Sequence, residues 1–148
     1  HSVQVKARVL NNGTWSALTE ALFIRDESSP LRVTEIMYHP ADPVSGSETN
    51  FTASGFEFIE LYNAGSETTG LAGVEFADGI HFDFTDGDTA VLAPGEYAVL
   101  VSNLEAFTNR YDSWNEITIL GEFHGQFFIP EAALDNAGED ILLTDYAQ

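Results

Sequence analysis

The chain has 148 residues, and its 44% of apolar and 12% of aromatic residues exclude a disordered polypeptide. The 24 acidic residues face only five basic ones and give a net charge of −19 at pH 7, which makes nucleic acid and anionic membrane surfaces unfavourable partners. The chain has no cysteine and no apolar run near the ~20 residues that span a bilayer, so a disulfide-stapled fold, a cysteine zinc site and membrane insertion are not expected.

The first segment of the chain predicts a β-hairpin. Residues 3–10 alternate between apolar and polar side chains, which is the period of a β-strand. Asn11-Asn12-Gly13 follows, and since Asn and Gly accept positive φ, it predicts a tight turn into a second strand over residues 14–24. An isolated hairpin is marginally stable in water, so we expect it to join the edge of the following domain, to pair with a second chain in a dimer, or to fray.

The hairpin resembles the last two strands of a fibronectin-type or related β-sandwich domain. Polar residues and a proline at 26–30 indicate a linker after it. We therefore predict two parts: residues 1–27 are the C-terminal hairpin of a preceding β domain plus the linker, and residues 28–148 are a β-sandwich domain. Because the sequence starts within a strand-like pattern and without Met, we expect it to be a piece of a longer protein.

Short strands separated by turn residues fill the rest of the chain. They are predicted at residues 31–38, 56–63, 70–77, 80–85, 89–92, 96–102, 117–120, 126–129 and 140–145, with a short helix at 104–111. This spacing is typical of an antiparallel all-β sandwich. Because no βαβ rhythm is visible, a parallel sheet is not expected.

Five segments in order resemble the bacterial lamin-tail domain over residues about 31–146. They are Val33–Pro40, Glu57–Asn63, Leu71-Ala72-Gly73, Leu92–Leu100 and Asn136–Asp145. The sequence departs from the family pattern at Val74, where the family usually has Trp. The resemblance implies an immunoglobulin-like antiparallel β-sandwich, to which the N-terminal hairpin is an addition.

The same resemblance implies a non-catalytic module that mediates binding or tethering. Lamin-tail domains occur in animal nuclear lamins and, in bacteria, beside other domains of large exported proteins. The acidic composition here fits the exported bacterial kind, so an extracellular or cell-surface location is expected. Neighbouring domains of the same chain and a protein or carbohydrate ligand are the expected partners.

An acidic turn is the best candidate for a metal site. Asp83, Asp86 and Asp88 surround a Gly, and alternating carboxylates of this kind supply the hard oxygens that Ca²⁺ prefers. The spacing is not that of an EF-hand, and a solvated hairpin turn favours the same residues. No other cofactor is expected. A calcium-dependent carbohydrate- or matrix-binding module is therefore the alternative function.

Aromatic residues crowd the segment after the predicted helix. They are Tyr111, Trp114, Phe123, Phe127 and Phe128, with Tyr111, Trp114 and Phe127 the best candidates for a binding platform. Tyr and Trp combine an apolar face with a polar handle, which suits a carbohydrate or peptide ligand. A long connection packed over the open end of the sandwich explains the same composition.

Three strand glutamates and three histidines complete the candidates. Glu35, Glu57 and Glu60 could meet on adjacent strands as an acid–base pair, as in a glycosidase. We favour glutamates at a sheet edge, facing Arg32 or solvent, because short tight turns offer no substrate cleft. The histidines, His39, His81 and His124, lie in separate segments and do not predict a zinc site. An enzyme is therefore not expected, and an acidic-residue hydrolase is the least favoured alternative.

Overall fold

The computed structural model describes residues 3–23, 29–84, 91–111, 116–125 and 134–145. The chain divides into two compact units, which meet in the sequence between Ser29 and Pro30. The first unit holds strands β1 (Val3–Ala7), β2 (Leu10–Asn11), β3 (Thr14–Trp15) and β4 (Thr19–Phe23).

The first unit is the predicted hairpin. Strand β1 pairs with β4 and β2 pairs with β3, both antiparallel. Asn12 and Gly13 form the two-residue turn with φ values of 46° and 79°, which confirms the predicted use of positive φ at these positions. The Arg8 guanidinium lies 4.2 Å from the centre of the Trp15 ring, a cation–π contact between the link from β1 to β2 and strand β3.

The second unit is a β-sandwich with one short α-helix. Its strands are β5 (Leu31–Met37), β6 (Phe58–Asn63), β7 (Thr69–Gly70), β8 (Val74–Asp78), β9 (Ile80–Asp83), β10 (Val91–Leu92), β11 (Tyr97–Val101), β12 (Ile119–Glu122), β13 (His124–Gly125) and β14 (Leu142–Asp145). Two 3₁₀ helices span Gly46–Asn50 and Ala53–Phe56, and α1 spans Leu104–Arg110, which confirms the predicted helix. The strand predicted at 126–129 lies outside the described residues.

Two four-stranded sheets form the layers of the sandwich. The first sheet has the order β12-β11-β6-β5 and the second has the order β13-β9-β8-β14, while β7 and β10 make a small separate pair. Buried side chains of both sheets form one core, with Ile59, Leu61 and Leu100 from the first sheet and Phe76 and Ile80 from the second. The predicted all-β immunoglobulin-like sandwich is confirmed.

A buried asparagine joins strand β6 to the small β7–β10 pair. The Asn63 amide nitrogen donates hydrogen bonds to the Glu67 and Leu92 carbonyl oxygens, both at 2.9 Å, and its oxygen accepts one from the Gly65 amide at 2.9 Å. Burying an amide is unfavourable unless its hydrogen bonds are made. These three bonds therefore explain why an asparagine is tolerated inside the sandwich.

One edge of the first sheet departs from the antiparallel prediction. Strand β12 runs parallel to β11, and helix α1 lies in the connection between them. No parallel sheet was predicted, and among the described strands the β11–β12 pair is a parallel edge on an otherwise antiparallel sheet. The Asn103 side chain caps α1 by accepting from the Ala106 amide at 2.8 Å, and buried Phe107 packs against the sheet, so a helix of only seven residues makes the crossover.

Candidate functional site

A groove lies on the face of the first sheet that points away from the core. We call it the outer groove. Its volume is about 420 Å³, within the range of small ligand sites, and it runs between strands β5, β6 and β11, helix α1 and the segment before β12. Its lining residues are Glu35, Phe58, Glu60, Tyr97, Ala98, Val99, Phe107, Tyr111, Glu116, Ile117 and Thr118.

Aromatic rings packed edge to face make the floor of the outer groove. The Phe58 ring centre lies 5.5 Å from that of Phe107 and 5.4 Å from that of Tyr111, with interplanar angles of 81° and 74°. Phe58 and Phe107 are buried and Tyr111 is half-buried. These contacts pack α1 against the sheet, so the fold itself forms the floor of the groove.

A pair of tyrosines stands beside this floor. Tyr62 and Tyr97 are partners across β6 and β11, and their ring centres are 4.5 Å apart. Tyr97 is 52% exposed, so it offers an aromatic face to a ligand. Tyr97 was not among the predicted site residues, although its position at the start of an otherwise buried strand, just after a Pro-Gly turn, was an available signal.

The predicted aromatic platform is only partly within the described residues. Tyr111 lines the outer groove as a candidate binding residue. Phe123 is 3% exposed and belongs to the core, which agrees with the alternative that this connection packs over the sandwich. Trp114, Phe127 and Phe128 lie outside the described residues, and their proposed role stays a prediction.

Two of the three strand glutamates meet in the outer groove. Glu35 and Glu60 are partners across β5 and β6, and the ladder between them is irregular at Thr34. The Thr34 hydroxyl donates a 2.7 Å hydrogen bond to the Glu60 Oε1 atom. Arg32 lies opposite Tyr62, two pairs further along the ladder. The expectation that no cleft accompanies these glutamates was wrong, because both line the outer groove.

Glu57 is separated from the other two glutamates. Predicted as a strand glutamate facing Arg32 or solvent, it is 1% exposed and lies between the second 3₁₀ helix and β6. Its Oε2 atom accepts a 2.6 Å hydrogen bond from the Leu134 amide. Burial raises the pKa of Glu57 to about 7, the Leu134 amide opposes that shift, and the negative charge of Glu139 adds to it.

A second cavity lies beside the segment that Glu57 holds. Its volume is about 540 Å³, and its lining residues are Ile36, Tyr38, Leu134, Asp135, Asn136, Ala137, Gly138, Glu139 and Ile141. Backbone and side-chain hydrogen bonds within this segment shape its wall, including one of 2.8 Å from the Asp135 amide to the Glu139 Oε1 atom. The hydrogen bond from Leu134 to Glu57 therefore fixes one side of this cavity.

The proposed calcium site is described only in part. Asp83 is half-buried on β9 and lies opposite Glu75 on β8, whereas Asp86 and Asp88 fall outside the described residues. His81 and His124 are partners across β9 and β13, a pairing that their separate places in the sequence did not predict. Within the parts of the chain that the structure describes, no three acidic or histidine side chains converge on a metal position. Calcium binding stays a prediction.

The fold defines the class of this protein as an immunoglobulin-like β-sandwich module. The family model of the Lamin Tail Domain matches residues 25–147, and the chain belongs to that family. Comparisons with curated proteins and with solved structures find no significant match. Of the helices in the described ranges, none has the length and apolar character needed to cross a bilayer.

Proposed function

We propose that this chain is a non-catalytic binding or tethering module of a larger exported bacterial protein, and that the outer groove is its binding site. Membership of the Lamin Tail Domain family supports the role of an accessory module. The acidic, cysteine-free composition suits an extracellular or cell-surface location, where a strongly charged surface keeps a protein soluble. This module would then tether the neighbouring domains of the same protein to its ligand.

The observation that carries this proposal is the shape and composition of the outer groove. A floor of packed rings supports one well-exposed ring, Tyr97, beside the carboxylates of Glu35 and Glu60. Concave sites with a mostly apolar lining and a few placed polar groups are typical of ligand binding. The rigid sheet beneath the groove means that little ordering is needed when a ligand binds.

Hydrolysis by Glu35 and Glu60 is the competing function, since the two carboxylates share one groove. Glycosidases need one carboxyl group that is shielded from water and keeps its proton at neutral pH. Glu35 is exposed, and Glu60 is held by the Thr34 hydroxyl. This arrangement suits two carboxylates that bind, rather than an acid that donates a proton to a leaving group.

An array of glycans, matrix polymers and peptides tests the proposal, with each ligand applied with and without calcium. We expect at least one ligand to bind the wild-type chain and to lose affinity for the Tyr97→Ala variant. Tyr38→Ala is the matched control, because Tyr38 is also 52% exposed but lines the other cavity. The ligand should be recovered unchanged after incubation. Ligands that bind both variants equally, or cleavage of a ligand that Glu35→Gln abolishes, would contradict the proposal.

A further inference from the structure

We infer that the outer groove selects a basic polypeptide segment and takes an arginine side chain between the Tyr97 ring and the carboxylates of Glu35 and Glu60. This inference rests on the proposed binding role and adds the chemistry of the ligand. It follows from the charges in the groove, from the nature of its floor, and from an arginine site that the same domain builds for itself.

The lining of the outer groove is acidic, although Arg32 of β5 lies on the same face of the sheet. Glu35, Glu60 and Glu116 line the groove, and no lysine, arginine or histidine is among its lining residues. Glu35 and Glu60 are direct cross-strand partners, and like charges in that position destabilise a sheet. The field of a concave site concentrates ions of opposite charge, and the net charge of −19 has the same sign. A cation placed between the two carboxylates would therefore be attracted and would relieve their repulsion.

A metal ion does not suit this groove. Ca²⁺ needs six to eight oxygen ligands around one point, and the floor offers rings and aliphatic carbon such as Phe58 and Val99. The three carboxylates are also not among any group of described side chains that converges on a metal position. An organic cation on an apolar stem suits both the apolar floor and the carboxylates, because its stem packs on the floor while its head reaches the carboxylates.

The domain already contains a complete arginine site of this kind. Arg110 lies with its guanidinium carbon 3.4 Å from the centre of the Phe56 ring. Its Nε and Nη2 atoms donate to the two carboxylate oxygens of Glu48 at 3.0 and 2.9 Å. The outer groove offers aromatic and carboxylate parts of the same kind through Tyr97, Glu35 and Glu60, and no arginine is among its lining residues. Guanidinium stacks on rings and binds carboxylates with two parallel bonds, which favours arginine over lysine.

Calorimetric titration of the full 148-residue chain tests the inference. The probe is a capped peptide in which arginine alternates with glycine, at about 0.15 M salt so that distant charges are screened. In two comparison peptides, arginine is replaced by citrulline, which keeps the shape without the charge, or by lysine. We expect the citrulline peptide to bind at least about tenfold more weakly, because charge-assisted hydrogen bonds are lost. The lysine peptide should fall between the two.

Variants with equal changes in charge locate the site. Glu35→Gln combined with Glu60→Gln should weaken binding of the arginine peptide by about tenfold or more, since both carboxylate partners lose their charge. The control combines Glu67→Gln with Glu105→Gln, two exposed positions outside the groove, and should weaken binding less than about twofold. Thermal melting checks that all variants fold.

The results that would contradict the arginine site differ from those that would contradict the proposed binding role. No binding of the arginine peptide, equal binding of the citrulline peptide, or equal loss in both double variants would overturn the inference. If the arginine peptide does not bind but a neutral glycan binds in a Tyr97-dependent manner, the inference falls and the proposed binding role stands. If no ligand of any class depends on Tyr97, both fall together.

Discussion

Glu57 shows how a single buried residue sets the response of the fold to pH. Its pKa is raised from 4.5 to about 7 chiefly by burial, so the folded chain binds a proton there that the unfolded chain has lost. The stabilising effect of protonation is complete below pH 4.5 and is lost as pH rises through about 7. The full effect is about 3 kcal/mol in the free energy of unfolding.

The Glu57→Gln variant isolates this effect. Glutamine stays neutral and its carbonyl oxygen can still accept from the Leu134 amide. We expect the variant to match the wild type in acid and to be more stable by up to about 3 kcal/mol above pH 7. Chemical denaturation across this pH range measures the difference, with Glu67→Gln as a surface control. If the free energies of unfolding of Glu57→Gln and wild type changed with pH in the same way, the buried, protonated carboxyl group would be contradicted.

The burial of Glu57 was not predictable from its neighbours in the sequence. The segment from Phe56 reads as a continuous apolar strand, but a 3₁₀ helix ends at Phe56 and the strand begins only at Phe58. The backbone amide that donates a hydrogen bond to the Glu57 carboxylate belongs to Leu134, which is 77 residues away in the chain. By contrast, Asn12 and Gly13 were correctly predicted as a tight turn, because the chemistry of that turn is local.

At the scale of the strand, an irregularity at Thr34 brings Glu35 and Glu60 together in the outer groove. Strict alternation along β5 would place Arg32 and Glu35 on opposite faces of the sheet. The extra residue at Thr34 puts Glu35 opposite Glu60 while Arg32 remains opposite Tyr62, so both point to the same face. A pattern of period two cannot show such a shift. The sequence therefore predicted strands β5 and β6 but not the pairing of their glutamates.

The Glu35→Gln variant tests that pairing in the free protein. Removing one of two like charges that face each other across a ladder should raise the free energy of unfolding by about 0.2–1 kcal/mol. Glu67→Gln changes the net charge equally and should have a smaller effect. Added salt should shrink the gain, because it screens the repulsion. A destabilised Glu35→Gln variant would show that Glu35 and Glu60 do not repel each other.

The turn between β8 and β9 gives a second test at this scale. Gly79 has φ +75°, and an added Cβ atom would lie 2.5 Å from the Asp140 carbonyl oxygen, in the segment before β14. Gly95 has the same φ, but an added Cβ atom there meets nothing within 4 Å. Gly79→Ala should therefore destabilise the fold by at least about 1 kcal/mol more than Gly95→Ala, as measured by denaturation. Equal effects would show that Asp140 does not pack against this turn.

At the scale of the whole molecule, composition and strand periodicity were sufficient for the sandwich but not for its site. Alternating apolar residues and regularly spaced turns predicted an all-β fold, and ordered motifs indicated the Lamin Tail Domain family, which the family match confirms. The outer groove depends on contacts between distant segments, namely the parallel pairing of β12 with β11 and the packing of α1 on the sheet. Such contacts leave no periodic signal.

The charge of −19 also acts at this scale, because it attracts any basic peptide to some degree. Loss of affinity in salt is therefore not enough to identify a site. What distinguishes the outer groove is the combination of charge and an exposed ring, so binding there should survive at physiological ionic strength better than attraction to the surface at large.

The most direct test is to map the binding of the arginine–glycine peptide by changes in backbone amide resonances of the labelled chain. The account predicts that the largest changes lie along β6, β11 and residues 116–118, and that they vanish in the Glu35→Gln/Glu60→Gln variant. Changes centred on the second cavity, or spread evenly over the acidic surface, would contradict it.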